Sequence, residues 1–337
     1  MKRILTALLL IAIFAVGFGG SYFLGKFSKI FVKTESEQTL ENVAPTTALP
    51  PKEGEVNVLL LGYGGAGHEG GTLTDSIILL TADIKSKKAS LISIPRDLWQ
   101  ADAKINFAYS KGTETAKNAV ASVTGISPTY FVAVDFNQLQ KIIDLLGGIN
   151  VDVLKSFDDY FYPVRGKELD LCGKSPEEMQ AVHQKYSGFD LEKQFECRYE
   201  HIHFDKGLTK MTGEGAVKFV RSRHSSQHGG DFARSERQFV VLKGLEDKLV
   251  SLNVIPKGGK IIDRISALVK TDLTPPRISE FLGLVGNPGE YSIKEIHLTE
   301  DNVLKSSTGA GGQFILLPRA GNNNFTEIRK FIQEQIL

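Results

Sequence analysis

The sequence predicts an α/β fold, in which a layered α-β-α domain with a central mixed sheet follows a single N-terminal transmembrane helix. Short apolar runs such as Val56–Leu61 (VNVLLL) are typical of strands that are buried on both faces. Between these runs lie amphipathic segments such as Phe136–Leu146, which carry apolar residues at helical spacing. Strands and helices that alternate in this way favour a layered α/β domain.

The N-terminus carries the signal for a membrane anchor. Lys2 and Arg3 precede an uncharged run from Ile4 to Leu24, and roughly 20 apolar residues are enough to span a bilayer. We interpret 1–25 as a cytoplasmic tip and anchor, because positive charge favours the cytoplasmic side of a membrane. A cleaved signal peptide is the alternative, although no A-x-A site closes the run. The polar, proline-containing segment 26–55 is interpreted as an extracytoplasmic linker.

Residues 56–252 form the predicted core domain. Its expected strands are Val56–Leu61, Ser76–Ala82, Lys88–Ile94, Tyr130–Val134 and Ile149–Val153. Its expected helices are Thr113–Thr124, Phe136–Leu146 and Phe232–Leu252. The polar, aromatic-rich segment 154–203 follows neither period, so we interpret it as an insertion or long loop.

Residues 253–337 are expected to form a C-terminal α/β portion that packs on the core. Two short helices are expected at Ile261–Leu268 and Pro276–Val285, and a closing helix at Phe325–Ile336. Strands are expected at Tyr291–Leu298 and Gly312–Leu317.

The two cysteines, Cys172 and Cys197, both lie in the insertion. Outside the cytoplasm a disulfide is permitted, and it would close a loop of about 25 residues with a stabilisation on the order of 3 kcal/mol. The alternative is two unrelated reduced thiols. Their spacing matches no zinc motif.

Composition and motifs exclude several classes of partner. A net charge of +1 over 337 residues argues against nucleic acid, which needs a broadly basic face. The Gly62–Gly67 segment fits G-x-G-x-x-G, but too few residues follow it for a helical crossover, so no NAD site is expected. His201, His203, His224 and His228 could suggest zinc, but nearby arginines would create a positive field that disfavours a divalent cation.

Arginines concentrate between Leu208 and Gln238. Arg221 and Arg223 are two residues apart, which places them on one side of an extended chain. After Gly229 and Gly230 a helix is expected to begin, with Asp231 as its N-cap. Arginine forks near a helix N-terminus suit a phosphate or diphosphate group, and a solvated helix is the alternative.

Within this predicted helix the side chains are expected to differ. Arg234 and Gln238 are four apart and share a face. Arg237 is expected to be exposed, or paired with Glu236 or Asp231.

Further charged residues lie at the ends of predicted strands. Asp75 precedes one strand, and Arg96 and Asp97 follow another after Pro95. Ligands gather at strand ends in α/β sheets, and carboxylates of this kind suit a hard Mg²⁺ ion that bridges phosphates. A local ion pair for Arg96 and Asp97, and a turn or capping role for Asp75, are the alternatives.

Several motifs in a fixed order resemble the LytR–CpsA–Psr family of cell-wall glycopolymer ligases. The matching segments are LLLG (Leu59–Gly62), LTDSIIL (Leu73–Leu79), SIPRDLW (Ser93–Trp99), KINFAY (Lys104–Tyr109), LLGGINVDV (Leu145–Val153), MTGEGAVKFVRSR (Met211–Arg223) and DFARSERQ (Asp231–Gln238). The resemblance runs from about Val56 to Leu249 and identifies this part as the catalytic core.

The resemblance implies a single-pass cell-membrane phosphotransferase with an extracytoplasmic catalytic domain. Its reaction would move a glycopolymer, such as teichoic acid or capsular polysaccharide, from a polyprenyl-diphosphate carrier to a muramic acid hydroxyl of peptidoglycan. The implied diphosphate-binding residues are Arg96, Arg221, Arg223, Arg234 and Gln238. The implied catalytic residues are Asp75, Arg96 and Asp97, with Asp75 and Asp97 also as ligands of a Mg²⁺ cofactor.

The implied apolar slot for the polyprenyl chain is lined by residues that could equally be ordinary core. They are Phe131, Val132, Leu139, Ile142, Ile143 and Phe219.

The chain departs from the family pattern in two places. Leu73 stands where many members have arginine, and His68 and Glu69 lie in a loop where many have aspartate, so His68 or Glu69 could contact the substrate instead. Two alternatives to the ligase therefore remain. One is a hydrolase that cleaves the polyprenyl-diphosphate glycan with water, and the other is a non-catalytic module that binds envelope lipid or polymer.

Overall fold

The computed structural model describes residues 54–65, 70–251, 264–265, 267–273 and 291–336. Among these residues, no helix is both long enough and apolar enough to cross a membrane. The predicted anchor, nearly all of the predicted linker and the predicted helix Pro276–Val285 lie outside the described residues. So do His68, Glu69 and part of Ile261–Leu268.

The described strands number fourteen. They are β1 (Glu55–Tyr63), β2 (Thr74–Asp83), β3 (Lys88–Ser93), β4 (Trp99–Gln100), β5 (Ala103–Lys104), β6 (Tyr130–Asp135), β7 (Ile149–Val153), β8 (Phe157–Pro163), β9 (Tyr199–Phe204), β10 (Gly207–Met211), β11 (Lys270–Thr271), β12 (Ser292–His297), β13 (Leu304–Thr308) and β14 (Phe314–Pro318).

Seven α-helices accompany them within the same ranges. They are α1 (Thr113–Thr124), α2 (Phe136–Leu145), α3 (Pro176–Lys185), α4 (Gly188–Glu192), α5 (Gly213–Arg221), α6 (Gly230–Ser251) and α7 (Thr326–Ile336). Short 3-10 helices cover Ile105–Lys111, Glu196–Arg198 and Ala310–Gly312.

The central sheet has the strand order β11-β6-β1-β2-β3-β12. β1 pairs with β6, and β3 with β12, in parallel, whereas the other neighbours are antiparallel. The sheet is therefore mixed, as the sequence predicts. The antiparallel pairing of β1 with β2 also shows that the Gly62–Gly67 glycine motif does not belong to a parallel β-α-β unit.

Helices cover both faces of this sheet because side chains alternate along each strand. On β1, Val58 and Leu60 belong to one buried cluster, which contains the apolar residues of α2, α5 and α6. Leu59 and Leu61 belong to a second buried cluster, which contains those of α1 and α7. The two clusters on opposite faces make the predicted α-β-α layering.

The predicted insertion 154–203 is more ordered than a long loop. Its ends form an antiparallel hairpin in which Phe157 of β8 faces Phe204 of β9. Between these strands lie α3, whose first turn has a capping box of Ser175 and Glu178, and the short helix α4. The alternation of apolar and polar residues is hard to recognise in β8, because a carboxylate side chain occupies one of its buried positions.

The predicted disulfide is present in this segment. Cys172 and Cys197 are bonded, with their Cα atoms 5.6 Å apart. The bond ties the turn before α3 to the residues just before β9.

The C-terminal portion completes the same sheet and core. β12 pairs with β3 at the sheet edge, and Ile328 and Ile332 of α7 are fully buried. β13 and β14 form a separate hairpin, of which the sequence predicts only the second strand.

Candidate active site

The candidate site lies at one edge of the central sheet. β1, β3 and β6 end at this edge and β2 begins there, since Tyr63 is beside both Thr74 and Asp135. α2 starts directly after β6, where the Asp135 carboxylate accepts a hydrogen bond of 2.8 Å from the Gln138 amide as N-cap. Side chains at the ends of several strands therefore face the same space.

The first wall of this space, here called the sheet-end wall, consists of Asp75, Arg96, Asp97 and Lys104. Arg96 Nη1 donates to Asp75 Oδ1 at 2.5 Å and Arg96 Nε to Asp97 Oδ2 at 3.3 Å. Lys104 Nζ donates to Asp97 Oδ1 at 2.5 Å. Asp97 is buried and receives a cation on each oxygen, whereas Asp75 commits only Oδ1 to Arg96.

The second wall, here called the helix-loop wall, consists of Arg221, Ser222, Arg223, His224 and Arg234. Arg221 is the last residue of α5, so the predicted extended chain begins only after it. α6 starts at Gly230, two residues before the predicted Phe232, so Asp231 is a residue of the helix and does not precede it. The glycines allow this early start because Gly229 packs against the Ser225 carbonyl, where a Cβ would lie 2.0 Å away.

A carboxylate that sequence reasoning missed holds the helix-loop wall in place. Asp159 of β8 is 1% exposed, and its Oδ2 accepts from the Ser222 hydroxyl at 2.6 Å. The same oxygen accepts from the amides of Arg223 and His224, both at 3.1 Å. Its sequence signal was weak, because an acidic residue in a polar insertion is usually solvated.

Arg237 is buried, contrary to the prediction that it is exposed or paired with a neighbouring carboxylate. It is 1% exposed and donates to the carbonyls of Phe219, His228 and Ser222. Burial, with Arg234 as the next cause, lowers the pKa of Arg237 to about 10. The guanidinium thus satisfies carbonyls where α5 ends, a position that favours cations.

The two walls enclose a cavity of about 380 Å³. Asp75 and Arg96 line it on one side, and Arg221, Arg223, His224 and Arg234 on the other. Arg234, which is 4% exposed, donates from Nη2 to the Asp75 carbonyl at 3.3 Å and so joins the walls directly. Four predicted arginines from distant parts of the chain therefore meet around one space.

Two aromatic rings lie close to the Arg221 guanidinium. Its guanidinium carbon lies 4.9 Å from the Phe136 ring centroid and 5.8 Å from that of Tyr162. Burial raises the pKa of the Tyr162 phenol, while Arg221 opposes that rise. The phenol therefore stays neutral beside the cavity.

An apolar cavity of about 110 Å³ adjoins the charged one at Phe136. Val132 and Leu139 line it, as expected for an apolar slot, and so does Gln238, which was predicted to bind diphosphate. The other predicted slot residues are core side chains. They are Ile142, Ile143 and Phe219 on the same sheet face and Phe131 on the opposite face.

Each of the four histidines considered as zinc ligands contacts a carboxylate. His201 and His203 both contact Asp158 Oδ1 at 2.8 Å, while His224 lies 3.3 Å from Glu192 and His228 2.9 Å from Glu236. In the part of the chain that the structure describes, the only cluster of three metal-ligand side chains contains Asp170 and the two bonded cysteines. A disulfide leaves no thiolate for a metal.

Of the two predicted Mg²⁺ ligands, Asp75 has a suitable environment and Asp97 does not. Mg²⁺ is usually held by one or two carboxylates together with substrate phosphates. Asp75 meets this need because it lines the cavity and keeps an oxygen outside its ion pair. Asp97 fits poorly, since Arg96 and Lys104 engage both of its oxygens, and its geometry favours orienting those two cations.

Comparison with known families assigns the chain. The model of the LytR_cpsA_psr family matches residues 22–320. This chain belongs to that family. The match includes both walls, the disulfide-bonded segment and β12, so the LytR_cpsA_psr assignment rests on nearly the whole described structure.

Two relatives of this chain are similar to it over most of its length. The chain is 28% identical to the polyisoprenyl-teichoic acid–peptidoglycan teichoic acid transferase TagV of Bacillus subtilis, over all of this chain and 79% of TagV. It is 25% identical to the regulatory protein MsrR of Staphylococcus aureus, over 84% of this chain and 76% of MsrR.

Solved structures of similar fold agree with the observed architecture. The crystal structure of B. subtilis TagV has a TM-score of 0.58 at 26% identity, covering 85% of this chain and 98% of TagV. Protein gbs0355 from Streptococcus agalactiae has a TM-score of 0.59 at 21% identity, covering 84% of this chain and 88% of that one. The second likeness supports the fold alone.

Proposed function

We propose that this chain transfers a phosphate-linked glycopolymer from a polyprenyl-diphosphate carrier to a muramic acid hydroxyl of peptidoglycan. The observation that carries the proposal is the pair of adjoining cavities, one lined by four arginines and the other apolar. A lipid diphosphate needs both surroundings side by side. The named transferase activity of the relative TagV supports the choice of glycopolymer and acceptor.

Each residue group has a distinct part in binding. The apolar cavity receives the first isoprene units, because its lining is almost entirely hydrocarbon. Arg96, Arg221, Arg223 and Arg234 bind the diphosphate oxygens, and their planar forks match phosphate geometry. Two carboxylates position two of these arginines. Asp97 accepts a hydrogen bond from Arg96 Nε, and Asp159 accepts one from the Arg223 amide.

The reaction is a substitution at phosphorus. The acceptor hydroxyl oxygen forms a bond to the sugar-side phosphorus, and the phosphoanhydride bond to the lipid phosphate breaks. The electron pair of that bond leaves with the lipid phosphate, whose developing charge the arginines stabilise. The hydroxyl proton passes to solvent or to a nearby base.

Asp75 would hold Mg²⁺, which supplies further charge neutralisation for the diphosphate when it is bound. Asp75 also orients Arg96 through the ion pair of 2.5 Å. Loss of this carboxylate therefore affects both a metal ligand and the position of an arginine.

We also propose that residues 1–25 anchor the chain in the cell membrane, with the described domain outside the cytoplasm. The disulfide supports this placement, because disulfides persist in oxidising compartments. A lipid-linked donor would then reach the apolar cavity from the membrane surface.

A mass-spectrometric assay tests the proposed reaction. The full chain in detergent is incubated with a polyprenyl-diphosphate glycan, Mg²⁺ and peptidoglycan fragments. A glycan–phosphate–muramic acid adduct supports the transferase. Free phosphoglycan instead identifies a hydrolase, and binding without turnover identifies a non-catalytic module.

Two variants test the site assignment in the same assay. Arg221→Ala and Arg234→Ala should each lower adduct formation at least about 100-fold, because each removes a donor to the charged transition state. Lys330→Ala is the control, because its exposed side chain is on α7, far in sequence from both walls, and lines neither cavity. Full activity in both arginine variants would contradict the assignment.

A further inference from the structure

The charged space has a second arm that the four predicted arginines do not explain. A cavity of about 230 Å³ shares Asp75, Arg96, Pro163 and Arg221 with the larger one. The two cavities are therefore arms of one forked space that meet at Asp75, Arg96 and Arg221. The second arm continues to Gly64, Gly70, Leu73, Arg165 and Glu168.

Arg165 brings a fifth guanidinium to this space, and it comes from the disulfide-bonded segment. Its Nη1 donates to Asn137 Oδ1 at 3.2 Å. Among the described residues this is its only hydrogen bond, and the Glu168 carboxylate lines the same arm. A guanidinium has five N–H donors, so most of its binding capacity remains for a ligand.

The backbone that carries Arg165 is held from two directions. The turn after β8 is closed by the Lys167 amide on the Val164 carbonyl at 3.1 Å. The Val164 amide donates to the Arg198 carbonyl at 2.8 Å, and Arg198 follows Cys197 of the disulfide. An arginine on a fixed turn loses less freedom when it binds than one on a free loop.

The order of the cavities indicates which end of a substrate reaches Arg165. The apolar cavity shares Phe136 with the larger arm and no residue with the second arm. A lipid diphosphate whose chain occupies the apolar cavity therefore places its lipid-side phosphate in the larger arm. Its sugar-side phosphate lies toward the junction, where the second arm begins.

We propose that Arg165 binds the sugar-side phosphate of the diphosphate from the second arm. It is a specificity-determining residue that distinguishes a diphosphate from a monophosphate on the same lipid. The inference rests on the proposed function for the identity of the substrate. The geometry behind it is a forked space with a cation in the arm remote from the apolar cavity.

A pair of short lipids tests the assignment without any acceptor. Geranyl diphosphate and geranyl monophosphate are titrated calorimetrically into the full chain in detergent, at constant Mg²⁺. Arg165→Ala should weaken the diphosphate about tenfold, the effect of one charge-assisted hydrogen bond, and the monophosphate less than about twofold. Arg165→Gln, which keeps the stem and one amide donor, should lie between wild type and Arg165→Ala.

Lys167→Ala is the matched control, because this cation is on the same turn and lines neither arm. It should leave both affinities unchanged. Equal losses for the two lipids in Arg165→Ala, or no loss for the diphosphate, would overturn the assignment. Failure of the wild-type chain to bind geranyl diphosphate would overturn both proposals. Binding that depends on Arg165 in a chain without transferase activity would contradict the proposed reaction alone.

Discussion

The two walls of the site are built in different ways, although both present arginines. In the sheet-end wall, Arg96 is held by carboxylate side chains at the ends of strands and keeps about a fifth of its side chain exposed, 19%. In the helix-loop wall, the loop after α5 is held by buried groups, chiefly Asp159 and Arg237, which bind its backbone. One wall is a set of ion pairs that a substrate can rearrange, and the other is a fixed backbone.

The two walls should therefore respond differently to substitution, one mainly in function and the other mainly in stability. Removing an ion-pair residue at a partly exposed strand end should affect substrate binding more than folding, since such pairs contribute little stability. Removing a buried group that satisfies backbone atoms should affect folding first. Four substitutions test this contrast, and they are given in decreasing order of expected effect.

Arg237→Ala should give the largest effect, a loss of roughly 4 kcal/mol in the free energy of unfolding. It leaves three buried carbonyls without their donor, those of Phe219 and Ser222 near the end of α5 and that of His228 just before α6. Chemical denaturation of the full chain in detergent measures it. A loss below about 1 kcal/mol would show that the helix-loop wall does not depend on its buried arginine.

Arg96→Ala should lower transfer activity about 100- to 1,000-fold, because it removes a donor to the charged transition state. The free energy of unfolding should change by about 1 kcal/mol or less, since Lys104 still pairs with Asp97. Turnover and denaturation are measured on the same preparation. A large loss of stability with retained turnover would reverse the contrast between the walls.

Asp159→Asn should cost about 2 kcal/mol of stability and also raise the KM for the lipid donor. The amide keeps the shape but loses the negative charge that holds the Ser222 hydroxyl and the Arg223 amide. Steady-state kinetics and thermal unfolding measure the two effects. The neighbouring Asp158→Asn is the control for position, and equal KM values in the two variants would contradict the role of Asp159.

The smallest effect concerns Asp158, which is on the opposite face of β8. Hydrogen bonds that the His203 ring donates to Asp158, and then to Asp205, raise the pKa of His203 above 6.5. Hydrogen bonds from His201 and His203 lower the pKa of Asp158 below 3.8. The His203 contribution to hairpin stability is therefore complete below pH 6.5 and is lost as the pH rises through its raised pKa. The Asp158 contribution is complete above pH 3.8 and is lost as the pH falls through its lowered pKa.

NMR titration of the His203 ring checks this coupling. Asp158→Asn should return the His203 pKa toward its ordinary value, with little change in turnover because the contact is on the surface. An unchanged pKa would show that the contact does not form in solution. A large change in turnover would show that the outer face of the hairpin also serves the site.

Much of the fold was predictable because its elements are locally consistent. α1 and β7 have the predicted bounds, and β1, β2, β3 and β6 lie within two residues of theirs. Their apolar periods are strong because the sheet is buried on both faces. β8 and β9 were missed because charged and aromatic residues obscure their alternation.

The candidate site was predictable in its residues and only partly in their roles. Asp75 and four arginines meet at one cavity, as the motifs suggested. Gln238 lines the apolar cavity instead, since the helix turns it toward α2 and the sheet. The roles of Arg165 and Asp159 could not be predicted from the sequence. A single charged residue in a polar segment has the same sequence pattern whether its side chain is solvated or directed into a site.

Sequence alone predicted the main strands and helices of the layered domain, a disulfide between the two cysteines and the chemistry of an arginine-rich site. These follow from residue types and short periods, which act over a few positions of the chain. Which charged side chains are buried, which line a cavity and which hold another residue in place became known from the folded structure. Those properties depend on contacts between residues that are far apart in sequence. Examples are the hydrogen bond from the Arg223 amide to Asp159 and the hydrogen bond from Arg237 to a carbonyl near the end of α5. Burial decides whether a charged side chain stabilises the fold or is available to a ligand. Arginines in similar sequence contexts therefore differ in role, some stabilising the fold and others lining the cavity.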